Sequence, residues 1–427
     1  MLYENWLHTS STVKTSKCLE LKEKISTECL VIGGGIAGLH AALRLVEGGK
    51  KVVLLEKRIC GDSSSGQSAG FLTPQSEEDI SKLTAKHGKE KSKIIHQIPF
   101  DGVDLIVNNI KKYKFKCDLR KQDSLYLSIK KSHDYKILEE KETCEEMQIP
   151  YKMLDENGLK KYHPGRGYRL GLIYPGTYGI NSFAYCQEMK NLLLKKGVKI
   201  YEDTEVKKIE KNTAITHLGS VESKKIIVCI DKLKAEFDKE WSKKCYHIQT
   251  YVAISEPLSK KEMRSIFPKE ELMCWDTKWD YAYYRPIMGN RLLVGASSPW
   301  TAYYPSYRLT QKVIVRGIDS LKEKFTEIKN VKFTYFWSGL IDVTQDLAPI
   351  VDYDRNNKSI QFVMGCIGLN WAAYCGDYAA RRILNKNALD LSEFLGANRK
   401  FSFSGIFQII FGKRVSFILS HLKELLT

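Results

Sequence analysis

The chain has 427 residues, of which 43% are hydrophobic, so it is not a disordered protein and is long enough for two domains with packed cores. Its formal net charge is +17, and its basic residues are scattered, which favours a solvated surface over a patch for RNA or anionic lipid. The eleven cysteines form no Cys-x-x-Cys pair and the nine histidines lie far apart, so neither a zinc site nor a redox disulfide is predicted. Free cysteines favour a reducing, cytoplasmic location.

The first 26 residues form a polar arm rich in Ser, Thr and Lys. The arm lacks the basic and then apolar order of a signal peptide. No stretch of the chain reaches the roughly 20 apolar residues that cross a bilayer. We expect Tyr3 and Trp6 to pin the arm to the protein body.

A glycine-rich turn follows the first predicted strand. Residues 29–32 are apolar, which is typical of a buried parallel strand. Gly33, Gly35 and Gly38 follow in the spacing G-x-G-x-x-G, and residues 36–47 have apolar side chains at helical spacing. In a dinucleotide site these glycines allow the tight turn, the approach of a pyrophosphate and close helix packing. The pattern therefore predicts a dinucleotide site at the start of this helix.

An acidic residue ends the next predicted strand, at 51–55. Glu56 can accept hydrogen bonds from both ribose hydroxyls of an adenosine and would repel a 2′-phosphate, which favours FAD or NAD over NADP. The loop at 61–70 consists mostly of Gly and Ser, and small residues allow a loop to lie against a flat ligand.

The rest of the chain alternates between predicted helices and strands. In chain order these are mostly helical segments over 80–161 with a strand at 124–129, a helix at 183–196, strands at 198–201, 204–210 and 225–230, aromatic-rich antiparallel strands over 245–335, a strand at 360–364, Gly365 and Gly368, and a helix at 371–384.

Several separated segments together resemble one protein family. They are 33–38 with Glu56, 64–70, 283–286 with 291–295, 337–349, and 365–368 before a helix. The chain resembles the FAD-dependent amine and amino-acid oxidoreductases of the D-amino-acid oxidase superfamily, which includes glycine oxidase, sarcosine oxidase and γ-glutamylputrescine oxidase. A nicotinamide-dependent Rossmann enzyme does not need the last two segments, so FAD is the expected cofactor.

The resemblance implies an α/β fold in which a Rossmann-like FAD-binding domain is interwoven with an α+β substrate domain built on an antiparallel sheet. The predicted parts are an N-terminal arm at 1–26, an FAD-binding domain at 27–100, 165–240 and 336–390, a substrate domain at 101–164 and 241–335, and a C-terminal apolar and basic extension at 391–427.

The resemblance also implies the chemistry. A hydride moves from the carbon next to an amine to flavin N5, and the resulting imine is hydrolysed. The helix after Gly368 would direct its positive N-terminal end at the pyrimidine end of the flavin. The expected substrate is a small amine or amino-acid derivative, and the expected acceptor is O2 or another electron carrier. No metal is expected.

The glycine motif and the resemblance together give the expected cofactor contacts. These residues are Gly33, Gly35, Ile36, Ala37, Gly38, Glu56, Lys57, Ser64, Ser65, Gly66, Gln67, Ser68, Ala69, Val206, Gly339, Gly365, Ile367, Gly368, Leu369 and Asn370.

Three positions depart from relatives in this family. Ile341 takes the place of an arginine that grips the substrate carboxylate in glycine and D-amino-acid oxidases, which argues against a simple amino acid held in the same way. Leu293 takes the place of the lysine that activates oxygen in sarcosine-type oxidases, so dehydrogenase activity is left open. Gln67 lies near the place of a histidine that binds flavin covalently in some members, and 337–349 has no cysteine, so non-covalent FAD is expected.

Tyr283 and Arg285 are the predicted catalytic residues, and alternation along a strand puts both on one face. Arg285 could replace the missing arginine or could make a structural ion pair, and the sequence favours neither. Aromatic residues could also line a pocket for an alkylamine through cation–π contact, although at strand spacing they are most often core. The candidates are Trp275, Trp279, Tyr281, Tyr283, Tyr284, Trp371 and Tyr374.

The sequence leaves two alternative functions open. Residues 401–419 are apolar with basic residues before and within them, and could lie in a membrane interface or pack on a protein surface, as in a membrane-associated flavin dehydrogenase subunit. The charge of +17 also suits a flavoprotein that acts on tRNA, but no clustered basic run supports this, so nucleic acid is not an expected partner.

Overall fold

The computed structural model describes residues 1–5, 16–74, 84–85, 88–278, 282–302, 310–385, 389–399, 410–412, 415 and 419. No helix among them is long and apolar enough to cross a membrane. The α-helices are α1 (Ile36–Glu47), α2 (Ser64–Gln67), α3 (Lys89–Tyr113), α4 (Asp134–Met147), α5 (Glu156–Tyr162), α6 (Ser182–Lys195), α7 (Lys260–Ile266), α8 (Lys312–Lys324), α9 (Leu369–Leu384) and α10 (Ser392–Leu395).

The strands of the described residues form two large sheets and one small sheet. In chain order they are β1 (Leu2–Tyr3), β2 (Lys24–Ile32), β3 (Val52–Leu55), β4 (Phe71–Leu72), β5 (Arg120–Lys121), β6 (Asp123–Leu127), β7 (Lys152–Leu154), β8 (Gly171–Tyr174), β9 (Tyr178–Gly179), β10 (Lys199–Tyr201), β11 (Lys208–Glu210), β12 (Thr213–Ile215), β13 (Ser220–Val228), β14 (Tyr246–Ser255), β15 (Leu272–Asp276), β16 (Tyr283–Ile287), β17 (Arg291–Ala302), β18 (Phe333–Val343), β19 (Ile350–Tyr353) and β20 (Ile360–Met364).

The first lobe is built on a mostly parallel sheet. β2 pairs in parallel with β3 and β13, and β10 pairs in parallel with β3. β20 joins the same sheet late in the chain, where Ile226 pairs with Ile360 and Val228 with Phe362. β3 and β20 are buried along their whole length, as expected for parallel strands covered on both faces.

The second lobe is built on a nine-stranded sheet in the order β1-β18-β14-β17-β16-β15-β6-β8-β7. Neighbouring strands are antiparallel except for the pairs β1 with β18 and β15 with β6, which are parallel. β18 and β14 pair along most of their length, from Tyr246 opposite Val343 to Ser255 opposite Phe333. Tyr3 on β1 packs edge-on against Phe336, with 5.2 Å between ring centroids, whereas Trp6 lies outside the described residues.

The strand pairings refine the predicted domain boundaries. β8 and β18 lie in the second sheet. The predicted segments 165–240 and 336–390 instead place all of β8 and most of β18 in the FAD-binding domain. α3 lies mostly within the predicted substrate segment 101–164, yet its Ile106 and Ile110 are buried in the core of the first lobe. The two lobes are therefore more finely interwoven than the sequence segments suggest, because β-pairing partners are distant in sequence.

Candidate cofactor and active site

The turn after β2 has the geometry that the glycine motif predicts. Gly33 has φ of +107°, which L side chains rarely adopt, and a Cβ there would lie 2.3 Å from the carbonyl oxygen of Cys229. A Cβ at Gly38 would lie 1.9 Å from the carbonyl oxygen of Gly33. Glycine at these two positions therefore lets α1 begin directly above the end of β2.

The N-terminus of α1 is suited to a diphosphate. Its N-cap residue, Gly35, has no side chain to cap the helix, and its first turn has no acidic residue. The first helical N–H, of Ile36, donates to Ser65 Oγ at 3.0 Å. Ser65 Oγ is also the nearest atom, at 3.0 Å, to a Cβ placed on Gly35. Gly35 and Ala37 are half-buried between buried neighbours, so this backbone faces a groove in which uncapped N–H groups can bind phosphate oxygens.

Glu56 joins the glycine turn to the loop that follows β3. Its carboxylate accepts the N–H of Gly34 at 2.7 Å and that of Arg58 at 2.9 Å. Burial raises the pKa of Glu56, and these N–H groups and the Arg58 charge partly offset that rise. Each carboxylate oxygen can accept a further hydrogen bond, as ribose hydroxyls would require.

A buried ion pair behind Glu56 was not predicted from the sequence. Lys190 and Glu202 are 1% and 0% exposed, and their Nζ and Oε1 atoms lie 3.1 Å apart. Glu202 also accepts the N–H groups of Cys60 and Cys18, each at 2.7 Å. The pair thus fixes the loop after Glu56 and the end of the N-terminal arm. A lysine among the core residues of α6 is the only sequence signal for it.

The other predicted residues at this end have ordinary surroundings. Lys57 forms an ion pair with Glu205, with 2.8 Å between Nζ and Oε1. Val206 is 7% exposed and belongs to a hydrophobic core of the first lobe. Lys57 therefore has a carboxylate partner, and Val206 is a core side chain.

α2 lies along the edge of β18 with an unsatisfied polar atom beside it. Trp337 Nε1 donates to the carbonyl oxygen of Gln67 at 2.9 Å. Gln67 Oε1 is buried and has no hydrogen-bond partner among the described residues. A Cβ at Gly339 would lie 3.2 Å from Gln67 Oε1, whereas Ser338 faces the other side of β18, where it pairs with Tyr251. Because a buried unpaired polar atom costs about 1–3 kcal/mol, Gln67 Oε1 fits a polar ligand that completes the site.

The small residues of the α2 loop allow tight backbone packing. A Cβ at Gly66 would lie 2.1 Å from the carbonyl oxygen of Gly61. Ser68 Oγ accepts the N–H of Gly70 at 3.2 Å, and the carbonyl oxygen of Ala69 accepts a hydrogen bond from Arg285. The loop is therefore held in place by its own backbone and by the second lobe.

The glycine loop before α9 returns the chain to this region. Gly368 has φ of +94° and is exposed, while Leu369 and Asn370 after it are buried. No side chain of the described residues caps α9. Asn370 Nδ2 donates to the carbonyl oxygens of Thr73 and Pro99, at 2.8 and 3.3 Å. Asn370 therefore anchors the helix start, and the N–H groups at that start remain suitable for a ligand.

α9 packs directly on α1. A Cβ at Gly376 would lie 1.9 Å from the carbonyl oxygen of Ala37. α9 also crosses α3 closely, because a Cβ at Gly102 would lie 2.1 Å from the carbonyl oxygen of Asn370. These contacts pack α9, which begins directly after the C-terminal glycine loop, against α1 and α3.

Tyr283 lies on the face of the second sheet that meets the α2 loop. Its ring covers Gly295, its cross-strand partner, where a Cβ would lie 1.9 Å from Tyr283 Cζ. Phe71 meets the ring edge-on, with 5.5 Å between centroids. Leu293 on the same face packs in a cluster with Trp337 and Ala69. This face is therefore largely apolar.

Arg285 is buried and its guanidinium is bound by oxygen atoms of the protein. Nε donates to Ala69 O at 2.7 Å, Nη2 to Ile180 O at 2.6 Å, and Nη1 to Gln122 Oε1 at 3.2 Å and Pro286 O at 3.4 Å. Burial lowers the pKa of Arg285 to about 10. The structural partners are uncharged acceptors rather than the carboxylate of an ion pair. This arrangement favours a structural role for Arg285 over a grip on substrate.

The aromatic candidates do not line one pocket. Tyr284 lies on the opposite face from Tyr283, where its hydroxyl contacts His163 Nε2 at 2.5 Å. Trp275 stacks on Tyr126 with 5.8 Å between centroids. Trp371 and Tyr374 belong to the core of the first lobe, and Trp279 and Tyr281 lie outside the described residues. Among the described candidates, Tyr283 is the one placed beside the α2 loop.

Ile341 lies in an apolar group that borders the C-terminal glycine loop. It pairs with Ile248 across β14 and β18, and both pack in one cluster with Ile367. The position that holds an arginine in the resembled oxidases is thus surrounded by aliphatic side chains. No charged group among these cluster members can hold a carboxylate.

Three separate findings fit an extended dinucleotide with a flat ring. The groove at Gly35 and Ser65 suits a diphosphate, Glu56 suits a ribose, and the unpaired Gln67 Oε1 lies farther along beside β18. Hydrogen bonds from Ile36 to Ser65 and from Trp337 to Gln67 join the glycine turn, the α2 loop and β18.

Comparison with known proteins gives consistent matches along the chain. Residues 28–382 match the sequence model of the DAO family, described as FAD dependent oxidoreductase. A probable oxidoreductase OrdL of Haemophilus influenzae is 28% identical over 347 residues, covering 79% of this chain and 78% of that protein. The γ-glutamylputrescine oxidoreductase of Escherichia coli is 27% identical over 353 residues, covering 82% of this chain and 81% of that protein.

The fold also matches a solved structure. Glycine oxidase from Geobacillus kaustophilus superimposes with a TM-score of 0.76 at 17% identity, covering 88% of this chain and 99% of that one. At this identity the likeness shows the fold alone. The predicted fold class, a Rossmann-like domain interwoven with a sheet-based domain, is confirmed.

Proposed function

The chain belongs to the DAO family of FAD-dependent oxidoreductases, and on that premise we propose that it oxidises a small amine or amino-acid derivative at the carbon next to nitrogen. Membership confirms the predicted FAD cofactor and the oxidoreductase class. The proposed product is an imine, which water hydrolyses to a carbonyl compound and a shorter amine or ammonia. The similarity to a γ-glutamylputrescine oxidoreductase supports an amine substrate.

In this proposal the N-terminus of α1 and Ser65 hold the diphosphate, and Glu56 accepts the ribose hydroxyls. Gln67 and the backbone around Gly339 provide polar contacts farther along the groove. When bound, FAD supplies the two-electron acceptor for the hydride that leaves the substrate carbon. The protein contributes position and electric field, with the N-terminal end of α9 favouring negative charge near Gly368.

The substrate side of the proposed site is the sheet face that carries Tyr283, Leu293 and Ile341. Its described residues are mostly apolar, which excludes water and favours an uncharged amine near the flavin. Tyr283 can contact the substrate with its ring, whereas Arg285, on the same face, holds the loops at Ala69 and Ile180 in place. We therefore assign Tyr283 a substrate contact and Arg285 a positioning role.

One observation carries the proposal: the contact of Gly376 with Ala37, which supports a site shared by the first glycine turn and the loop before α9. A nicotinamide-dependent Rossmann enzyme would not need this return of the chain. The arrangement supports a flavin ring that contacts residues from the last third of the chain.

The experiment is anaerobic titration of the purified yellow protein with a panel of amines. Polyamines, γ-glutamylated diamines, N-methyl amino acids, glycine and D-amino acids should each be added in excess, with 2-hydroxy acids as the control class. We expect at least one amine to bleach the visible flavin absorption and no 2-hydroxy acid to do so. Bleaching by hydroxy acids alone would contradict the proposal.

A second step of the same experiment identifies the electron acceptor. The bleached protein is mixed with air-saturated buffer or, anaerobically, with a soluble quinone. Because Leu293 stands where sarcosine-type oxidases have a lysine, we expect the quinone to restore the absorption faster than oxygen does. If oxygen restores the flavin absorption faster than the quinone does, the protein would be assigned to the oxidases instead.

A further inference from the structure

Four ionisable side chains meet where the second lobe touches α2. Asp231 and Lys232 follow β13, His247 lies at the start of β14, and Asp342 lies near the end of β18. We call these four residues the interlobe charge cluster. The side chain of Asp342 is 1% exposed and that of Lys232 is 22% exposed. Neither the glycine motif nor the family resemblance assigns them a role.

Asp342 connects the members of the interlobe charge cluster. Its carboxylate accepts the backbone N–H of Lys232 at 2.7 Å and lies 2.5 Å from His247 Nδ1. Its own N–H donates to Asp231 Oδ1 at 3.1 Å. Burial, followed by the charge of Asp231, raises the pKa of Asp342 to about 6. Two carboxylates so close together need a cation nearby.

Lys232 supplies that cation and also binds α2. Its Nζ lies within hydrogen-bonding distance of four oxygen atoms. These are Asp231 Oδ2 and Ser64 Oγ, both at 2.9 Å, Leu340 O at 3.0 Å and Ser63 Oγ at 3.1 Å. These oxygen atoms come from the turn after β13, the start of α2 and the edge of β18. Burial would raise the pKa of Asp231, but the Lys232 charge and a hydrogen bond from Ser64 outweigh it and lower that pKa.

The backbone of Lys232 has an unfavourable conformation, which indicates that contacts of this residue stabilise the turn. Its φ is +61°, a left-handed conformation that is unfavourable for residues other than glycine. Surrounding contacts must compensate for such a conformation, and those observed here are the hydrogen bond of the backbone N–H to Asp342 and the hydrogen bonds of the ammonium group. The lysine therefore holds the turn as well as α2.

α2 is thus fastened to the second lobe at both ends. Lys232 holds Ser63 and Ser64 at its start, and Trp337 Nε1 holds the carbonyl oxygen of Gln67 at its end. Ser65, which receives the first N–H of α1, lies between these two points. A shift of the start of α2 would move Ser65 away from the groove for the diphosphate.

We propose that Lys232 is a positioning residue for the cofactor: it fixes α2 on the edge of β18, so that contact between the lobes sets the affinity for FAD. This inference rests on the proposed contact of Ser64–Gln67 with FAD. It does not depend on which amine is the substrate.

The test compares Lys232→Met with Lys234→Met, which removes an exposed lysine two residues away. FAD release is followed by flavin fluorescence on dilution of each holoenzyme, and thermal unfolding by circular dichroism at saturating FAD. We expect Lys232→Met to raise the Kd for FAD at least about tenfold, and Lys234→Met to leave it unchanged. An unchanged Kd in Lys232→Met would overturn the proposal.

A double variant separates positioning from charge balance. Lys232→Met with Asp231→Asn removes both charges, so Asp342 no longer faces a second carboxylate. We expect it to recover thermal stability but to keep the raised Kd, because Ser63 and Leu340 still lack the ammonium. Recovery of the wild-type Kd would show that the lysine only balances charge and would overturn the proposal. Because Kd is measured without substrate, a failure of the amine panel would leave this result intact.

Discussion

Gly376 on α9 lies against the backbone of Ala37 on α1, so that a Cβ on Gly376 would be 1.9 Å from the Ala37 carbonyl oxygen. The residues are 339 positions apart in a chain of 427. Their contact joins the first helix of the dinucleotide motif to the last long helix. The proposed site depends on this crossing, because it packs the helix that follows the loop at Gly365–Gly368 on the helix that follows Gly35.

The helix crossing predicts a strong effect of one methyl group. Gly376→Ala places that group against backbone that cannot rotate away, so the helices must separate, and overpacking of this kind costs about 1–3 kcal/mol. We expect a lower unfolding midpoint and loss of most bound FAD, measured by calorimetry and by the ratio of flavin to protein absorption. The control is Gly158→Ala in α5, where the nearest atoms lie at 3.2 Å on the side chains of Asp155 and Leu154. Equal FAD content in both variants would contradict the predicted crossing.

Glu56→Gln tests the ribose contact. The variant keeps the shape of the side chain but loses a charge-assisted acceptor, which contributes about 1.5–3 kcal/mol. We expect the Kd for FAD to rise about tenfold to a hundredfold, measured by equilibrium titration of flavin fluorescence. Glu205→Gln removes a nearby carboxylate that pairs with Lys57, and should leave the Kd within about twofold. A larger effect for Glu205→Gln than for Glu56→Gln would place the ribose elsewhere.

Arg285→Lys separates a structural role from substrate binding. A lysine cannot reach all the oxygen atoms that the guanidinium binds, so we expect the free energy of unfolding to fall by about 2–4 kcal/mol. KM for the best amine should change little, measured by steady-state kinetics at a temperature where the variant is folded. Arg291→Lys on β17, whose guanidinium donates to Ser255 O, is the matched control. A rise in KM without loss of stability would show that Arg285 binds substrate.

Two buried histidines predict a loss of stability in mild acid. Burial lowers the pKa of His40 to about 4 and that of His163 to about 3, from 6.5 when exposed. At pH values between the folded pKa of about 4 and the unfolded pKa of 6.5, the unfolded chain binds protons that the folded chain does not. The free energy of unfolding is therefore highest above pH 6.5 and falls as the pH falls toward 4. At pH 5 each histidine should cost roughly 2 kcal/mol.

The measurement is the free energy of unfolding by denaturant at neutral pH and at pH ~5, for the wild type, His163→Gln and the exposed His217→Asn. The difference between the two pH values should shrink in His163→Gln and stay as in the wild type in His217→Asn. Comparing differences removes the general loss of stability that follows from changing a buried residue. An unchanged pH difference in His163→Gln would contradict the assignment.

The sequence predicted the elements whose signals are local. Helix 36–47 was predicted with the bounds observed for α1, since helical spacing begins at Ile36 and glycines follow Glu47. The strand at 360–364 was also predicted with its observed bounds, because a run that is apolar except at Gln361 ends at Gly365. Chain order and glycine spacing were sufficient to predict FAD as the cofactor, and its position between these segments stays a prediction.

The sequence could not predict contacts between distant polar residues. The Lys190–Glu202 pair and the interlobe charge cluster join residues that share no pattern along the chain. The partners of Arg285 are mainly backbone carbonyls, which any residue could supply, so its role was left open. The predicted site residues themselves still await a direct test, and the predicted C-terminal extension at 401–419 lies largely outside the described residues.

The most direct test of the central claim is the position of the cofactor in a crystal structure of the flavin-loaded protein. The account predicts the diphosphate at Gly35 and Ser65, and the flavin ring between the α2 loop and the loop at Gly365–Gly368. Electron density for the ring on any other surface, or a ring separated from Gly368 by a folded segment, would contradict it.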